Sequence, residues 1–133
     1  MTKQHIQPDD LFTSERFGFS QVVTSAPGKL VFVSGQTALD VDFKVVGGAD
    51  LAAQARQALA NLASALTAAG ATRSDVTSLR IYVVGYEPSH AGLIAPALGE
   101  FFDDGPPPAQ TLLGVQALGM PDLRIEIEAT AVV

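Results

Sequence analysis

Two glutamates near the end of the chain are the first candidates for chemistry. Residues 123–128 read Leu-Arg-Ile-Glu-Ile-Glu, so apolar and charged side chains alternate. Because successive side chains of an extended strand point to opposite faces, Glu126 and Glu128 share one face of the predicted strand. An exposed strand carries such a face without further consequence, whereas a covered carboxylate needs a partner or a chemical task. Glu126 and Glu128 are therefore candidates for proton transfer or for structural pairing.

The length and residue usage of the chain limit its class. The 133 residues predict one domain spanning 1–133, with a loosely packed arm at residues 1–16 because that segment is polar. The absence of Cys excludes disulfides and thiol chemistry and is compatible with the cytoplasm, where we expect the protein. The first residues show no secretory signal, and the apolar runs are too short to span a bilayer.

Charge is sparse and mostly acidic. Hydrophobic residues make up 47% and charged residues 17% of the chain, against a typical charged share of about 25%. So few charges leave apolar surface to cover, which favours an oligomer. The net charge is −6, and the eight lysines and arginines are scattered. This pattern argues against nucleic-acid and membrane partners, because both bind clustered cations.

Local patterns predict an alternation of strands and helices. Residues 17–24 and 30–34 read as strands, and Pro27-Gly28 between them predicts a hairpin. Residues 50–69 have apolar positions at helical spacing, with Asp50 as N-cap and Gly70 after the C-terminus. Gln54 lies on the helical face that we expect to meet solvent.

The second half of the chain continues in the same way. Its predicted elements are a strand at 76–84, a helix at 88–102, a strand at 109–115 and the terminal strand. Pro96 predicts a kink or a late start in that helix. The order ββαβαββ predicts an α+β fold with a mixed sheet and two helices on one face. The other sheet face needs a cover, which again indicates self-association.

Common catalytic signatures are absent: the chain has no nucleophile elbow, no zinc-binding helix motif and no phosphate-binding glycine loop. We expect no metal and no cofactor. Three segments stand out instead, namely Val33-Ser34-Gly35-Gln36, the helix segment 52–61 (Ala-Ala-Gln-Ala-Arg-Gln-Ala-Leu-Ala-Asn), and Pro108-Ala109-Gln110 followed by Ile125-Glu126-Ile127-Glu128-Ala129. In order and spacing they resemble the RidA family, also called YjgF and, in older usage, L-PSP endoribonuclease. The resemblance covers residues 17–133.

This resemblance implies a chorismate-mutase-like fold and a homotrimer with three small-molecule sites in clefts between subunits. Family members with the full motif hydrolyse reactive enamine or imine metabolites, releasing ammonia. In that motif an arginine binds the substrate carboxylate, a glutamate of the last strand positions water, and an aromatic residue and a serine line the pocket.

Carried over by position, the glutamate is Glu126, the serine is Ser34 and the aromatic residue is Phe19, which is a tyrosine in the classical members. The arginine position holds Gln110. A neutral amide replaces a bidentate, charge-assisted contact, which would cost about 1.5–3 kcal/mol of carboxylate binding. The chain therefore resembles a divergent subgroup with altered specificity.

Arg80 has two readings. It lies within an otherwise apolar strand, where it either pairs with Glu126 or Glu128 or reaches the cleft and binds an anionic ligand. The leading hypothesis for the whole chain is a trimeric imine hydrolase that acts through Glu126. The alternative is a non-catalytic trimer that binds a small molecule or a protein. RNA cleavage is the weakest reading, because the chain is acidic and has no basic patch.

Overall fold

The computed structural model describes residues 3–133 and has the α+β architecture that the sequence predicts. In chain order its elements are β1 (Lys3–Ile6), β2 (Val22–Ser25), β3 (Leu30–Gln36), α1 (Leu51–Ala68), β4 (Val76–Val84), α2 (Ala91–Phe101), β5 (Ala109–Val115) and β6 (Ile125–Val132). Three short 3-10 helices, Glu15–Phe17, Arg73–Asp75 and Pro88–His90, lie in the connections. None of the helices among these residues is long and apolar enough to cross a membrane.

Four strands form the main sheet, in the order β3-β6-β4-β5. β6 is antiparallel to both of its neighbours, and β5 is parallel to β4, so the sheet is mixed as predicted. The parallel pair is possible because α2 forms the crossover between β4 and β5. β3 and β5, which carry predicted site residues, are therefore the two outer strands.

The long helix confirms its predicted limits. Asp50 caps α1, since its carboxylate accepts a hydrogen bond from the Ala53 N–H at 3.2 Å. Gly70 follows the C-terminus with φ of 76°, a backbone conformation that favours glycine. The second helix starts at Ala91, after the turn Pro88–His90, and contains Pro96.

Both helices pack on one face of the sheet and leave the other face open. Alternate residues of the strands are buried against the helices together with Leu59, Leu62 and Leu66 of α1; these strand residues are Val31, Val33, Leu79, Ile81, Val83, Ile125, Ile127, Ala129 and Ala131. On the open face Phe32 is 75% exposed and Leu30 is 58% exposed. Large apolar side chains at such exposure mark a surface that gains stability when it is covered.

The predicted hairpin is wrong. β2 pairs with β1, whereas β3 pairs with the terminal strand β6. The backbone of Lys29 and that of Val133 exchange hydrogen bonds of 2.8 and 2.9 Å, which extends this pairing. After the Pro27-Gly28 turn the chain therefore enters the main sheet beside β6 instead of folding back to pair with β2. Residues 1–16 were predicted to form a loose arm, yet residues 3–6 of that segment form β1.

Gln54 is buried, which contradicts its predicted place on the solvent face of α1. Its amide nitrogen donates to the Gly48 carbonyl at 2.7 Å and to the Asp122 carbonyl at 2.9 Å. Its oxygen accepts from the Arg124 N–H at 2.8 Å. One side chain thus satisfies three backbone groups and ties the start of α1 to the segment that enters β6.

Candidate functional site

A β-bulge distorts β3 where it passes Glu126. Val33 is opposite Ala129 and Gln36 is opposite Ile127, so three steps along β3 correspond to two along β6. The extra residue lies in Ser34-Gly35, within the Ser-Gly-Gln segment. A bulge bends the strand locally and redirects side chains, and bulges are frequent beside active sites.

Glu126 lies directly against the backbone of this bulge. A Cβ atom at Gly35 would overlap Oε2 of Glu126 and would lie 2.6 Å from its Cδ and 2.7 Å from its Cγ. The φ of Gly35 is not positive, so glycine is required here for space and not for backbone conformation. The structure therefore brings together, within one chain, three residues of the segments that resemble the RidA family: Ser34, Gly35 and Glu126.

The Glu126 carboxylate has no hydrogen-bond donor among residues 3–133. The side chain is half-buried. Its register neighbour on β4 is Tyr82, whose hydroxyl is directed to Glu128 instead. A carboxylate with unpaired oxygens beside an exposed serine can hold a water molecule or accept a proton from it.

Glu128, by contrast, has a structural partner. The Tyr82 hydroxyl donates a hydrogen bond to Oε1 of Glu128. This bond raises the pKa of Tyr82 above its usual value, since it favours the neutral phenol, with burial adding to the effect and the nearby Arg80 opposing it. The two acids of the terminal strand thus differ in environment, although they share one face.

Arg80 is the register partner of Glu128 on the open face. Its guanidinium makes no ion pair within 4.0 Å to any of residues 3–133, although Arg56 and Glu100 form a salt bridge elsewhere on the surface. Arg80 is exposed, so both readings of this residue, pairing across an interface or contact with a ligand, remain predictions.

Phe19 and Gln110 form a second group at the opposite edge of the sheet. Gln110 lies beside Leu79, which places it on the helix-covered side of β5. Ser20 and Ala109 form an isolated parallel β-bridge. Phe19, which precedes Ser20, and Gln110, which follows Ala109, therefore lie next to the same bridge. Both side chains are half-buried.

An aromatic cluster around Phe19 is missed by the sequence reading. Phe12 makes edge-to-face contacts with Phe17 and with Phe19, at centroid distances of 5.9 and 6.1 Å. Phe17 and Ala95 also line a cavity of about 180 Å³ in which no described lining residue is a lysine or arginine. Three of the seven phenylalanines fall within residues 12–19, and this density is the feature of the sequence from which the aromatic cluster could have been predicted.

One chain does not bring the two groups together. Glu126 lies on the open face of β6, and Gln110 lies on the helix side of β5, two strands away. Adjacent strands are about 4.8 Å apart, so the strands alone separate the two residues by about 10 Å. Among residues 3–133, no group of three or more His, Asp or Glu side chains is placed to hold a metal.

Comparisons with known proteins show which family this chain matches. The model described as "Endoribonuclease L-PSP" matches residues 13–133. Protein DfrA of Myxococcus xanthus is 32% identical over 114 residues, covering 86% of this chain and 84% of that protein. A 2-iminobutanoate/2-iminopropanoate deaminase of Dermatophagoides farinae is 31% identical over 106 residues, covering 80% of each.

A solved structure agrees over the full length. A protein of unknown function of the conserved Rid family, YyfB from Yersinia pestis, superposes with a TM-score of 0.95 at 43% identity and covers 100% of both chains. Because the family model matches residues 13–133 and this Rid-family structure superposes over the whole chain, the chain belongs to the Rid family, also called YjgF.

Proposed function

We propose that this protein is a trimeric hydrolase of reactive imines or enamines that acts through Glu126. The observation that carries the proposal is the Glu126 carboxylate, which lies against Gly35 in the bulge and accepts no hydrogen bond from residues 3–133. The relative from D. farinae, named as an imine deaminase, supports the reaction class. We also propose that the protein is cytoplasmic, as the sequence predicts.

Assembly into a trimer explains why the site residues are divided. Ser34 and Glu126 lie towards the β3 edge, whereas Phe19 and Gln110 lie at the β5 edge. Contact between the β3 side of one subunit and the β5 side of the next would join both groups in each of three clefts. Covering Phe32 and Leu30 supplies a hydrophobic driving force for that contact.

The chemistry requires one proton acceptor and one water molecule. Glu126 takes a proton from water as the water oxygen adds to the carbon of the protonated imine, which gives a neutral carbinolamine. Glu126 passes that proton to the carbinolamine nitrogen and then takes the hydroxyl proton as the C–N bond breaks, so that ammonia and a carbonyl product leave. Glu126 returns this last proton to solvent or to the released ammonia. Ser34 hydrogen-bonds the polar end of the substrate, and Phe19 forms an apolar wall. No cofactor is required for this sequence of steps.

Gln110 sets the specificity in this scheme. Its amide can hydrogen-bond a ligand but supplies no positive charge. Because residue 110 is a neutral glutamine and not an arginine, the site favours imines without a carboxylate, or with a weakly held one.

The variant Gln110→Arg is expected to raise kcat/KM for imines derived from amino acids by about tenfold or more, since one charge-assisted contact to a carboxylate contributes about 1.5–3 kcal/mol. The measurement is ammonia release from imino acids generated in situ. An imine without a carboxylate is the matched control substrate, for which the variant should show no gain. Equal effects on the two substrates would show that residue 110 does not contact the carboxylate.

A non-catalytic binding trimer is the second candidate, and Gln110 is the observation that favours it. It predicts thermal stabilisation of the protein by a small molecule without any turnover. Ammonia release by the wild-type protein decides between the candidates. Release that depends on Glu126 supports the hydrolase, whereas silence on every imine tested would contradict it.

A further inference from the structure

A second cavity lies between β1 and the segment 102–108 that follows α2. It has a volume of about 460 Å³ and is lined by Lys3, His5 and Arg73, among others. The chain has eight lysines and arginines and two histidines. In a protein with a net charge of −6, three of these ten side chains thus face one cavity. Glu126 does not line it.

Backbone carbonyl groups hold the cation of Lys3 in place. Its Nζ donates to the carbonyls of Ser74 and Val76, the second at 3.1 Å. Burial lowers the pKa of Lys3, while the nearby Asp75 opposes that effect. A chain segment more than 70 residues away in sequence therefore fixes this ammonium group at the cavity wall.

Arg73 is oriented by two contacts. Its Nη1 donates to the Phe101 carbonyl at 2.8 Å, and its guanidinium lies 5.0 Å from the centroid of the Phe101 ring. A guanidinium has five N–H donors, so most of them remain for a ligand. Because the side chain is already ordered, binding costs little further rotamer entropy.

His5 and the remaining walls complete the cavity. Nδ1 of His5 lies 2.9 Å from the Pro107 carbonyl and 3.1 Å from the Ser20 hydroxyl, and Nε2 has no hydrogen-bond partner among residues 3–133. Val76, Phe102, Pro106 and Pro108 supply apolar surface, and Asp103 is the acid on the lining. The volume falls in the range of small-molecule sites.

We propose that this cavity binds a small organic anion, a carboxylate or a phosphate monoester. Lys3 and Arg73 hold its acidic group, His5 offers Nε2 to a neighbouring polar atom, and Phe102 with the two prolines contacts its apolar body. The residues assigned to the proposed hydrolysis, Glu126, Ser34, Phe19 and Gln110, do not line this cavity, and binding there does not depend on that reaction.

Calorimetric titration of the full chain with benzoate and with phenyl phosphate, at constant ionic strength, tests the proposal. Each variant Lys3→Gln and Arg73→Gln is expected to weaken binding about tenfold, the effect of one lost charge-assisted contact. Lys44→Gln is the matched control, because it removes the same charge from an exposed residue outside the cavity. Saturation by benzoate alone would assign a carboxylate site, and saturation by phenyl phosphate alone a phosphate site.

Two results would overturn the proposal. The first is that neither probe saturates the wild-type protein below about 10 mM, which corresponds to a binding free energy weaker than about −3 kcal/mol. The second is that Lys44→Gln weakens binding as much as the cavity variants do. Melting temperatures without ligand separate a folding defect from lost binding. If one cavity variant does not fold, the other decides the outcome.

Discussion

Glu126→Gln should lower ammonia release by a factor of about 10² to 10⁴, the contribution of a positioned general base. The substitution keeps the size and shape of the side chain and removes its ability to accept a proton at neutral pH. Because no protein group of the described residues donates a hydrogen bond to this carboxylate, the loss cannot be attributed to a broken structural contact. The measurement is single-turnover and steady-state ammonia release from an imine generated in situ.

Glu128→Gln provides a matched control for that variant. It makes the same chemical change two residues away, on the same face of β6. An amide oxygen can still accept the hydrogen bond from the Tyr82 hydroxyl, so the fold should be retained. We expect activity close to that of the wild-type protein. Equal losses in the two variants would mean that general charge, and not Glu126, supports the reaction.

Gly35→Ala should lower turnover about 100-fold while the protein stays folded. The new Cβ would occupy the position of the Glu126 carboxylate, which is the flexible end of a side chain and can move away. A displacement of about 1 Å of a reacting group costs about 10²-fold in rate. Turnover and the melting temperature, measured on the same preparation, separate a misplaced carboxylate from an unfolded protein.

Gly92→Ala serves as the control for the added methyl group. A Cβ at Gly92 meets no atom within 4 Å, and the residue lies in α2, where alanine is favoured over glycine. This variant should retain full activity and melt at the same temperature or higher. If Gly35→Ala were equally harmless, the close approach of Glu126 to the bulge would have no part in the reaction.

The sequence predicted those features that depend on local patterns. The limits of α1 followed from its apolar spacing, its Asp50 cap and Gly70. The alternation in residues 123–128 predicted β6, and the structure separates its two acids by the hydrogen bond that only Glu128 receives. The order of the predicted strands and helices predicted the mixed sheet with helices on one face, and the resemblance of three segments predicted membership of the Rid family.

Features that depend on distant partners were missed. The hairpin prediction failed because β3 pairs with a strand about one hundred residues further on, and turn residues carry no information about that partner. Gln54 was placed on a solvent face because its spacing suits one, whereas its partners are backbone groups of two loops. The reason for glycine at position 35 lies in Glu126, which no local pattern around residue 35 reveals.

Subunit complementation tests most directly the claim that each site is shared between two subunits. One variant is Glu126→Gln, and the other combines Phe19→Ala with Gln110→Ala; each alone is expected to be nearly inactive. The two are co-expressed with different tags, and mixed trimers are purified on both tags in turn. A cyclic trimer with both kinds of subunit has one cleft in three that is free of substitutions, so mixed trimers should recover about a third of the wild-type activity. Mixed trimers as inactive as their parents would contradict the shared site.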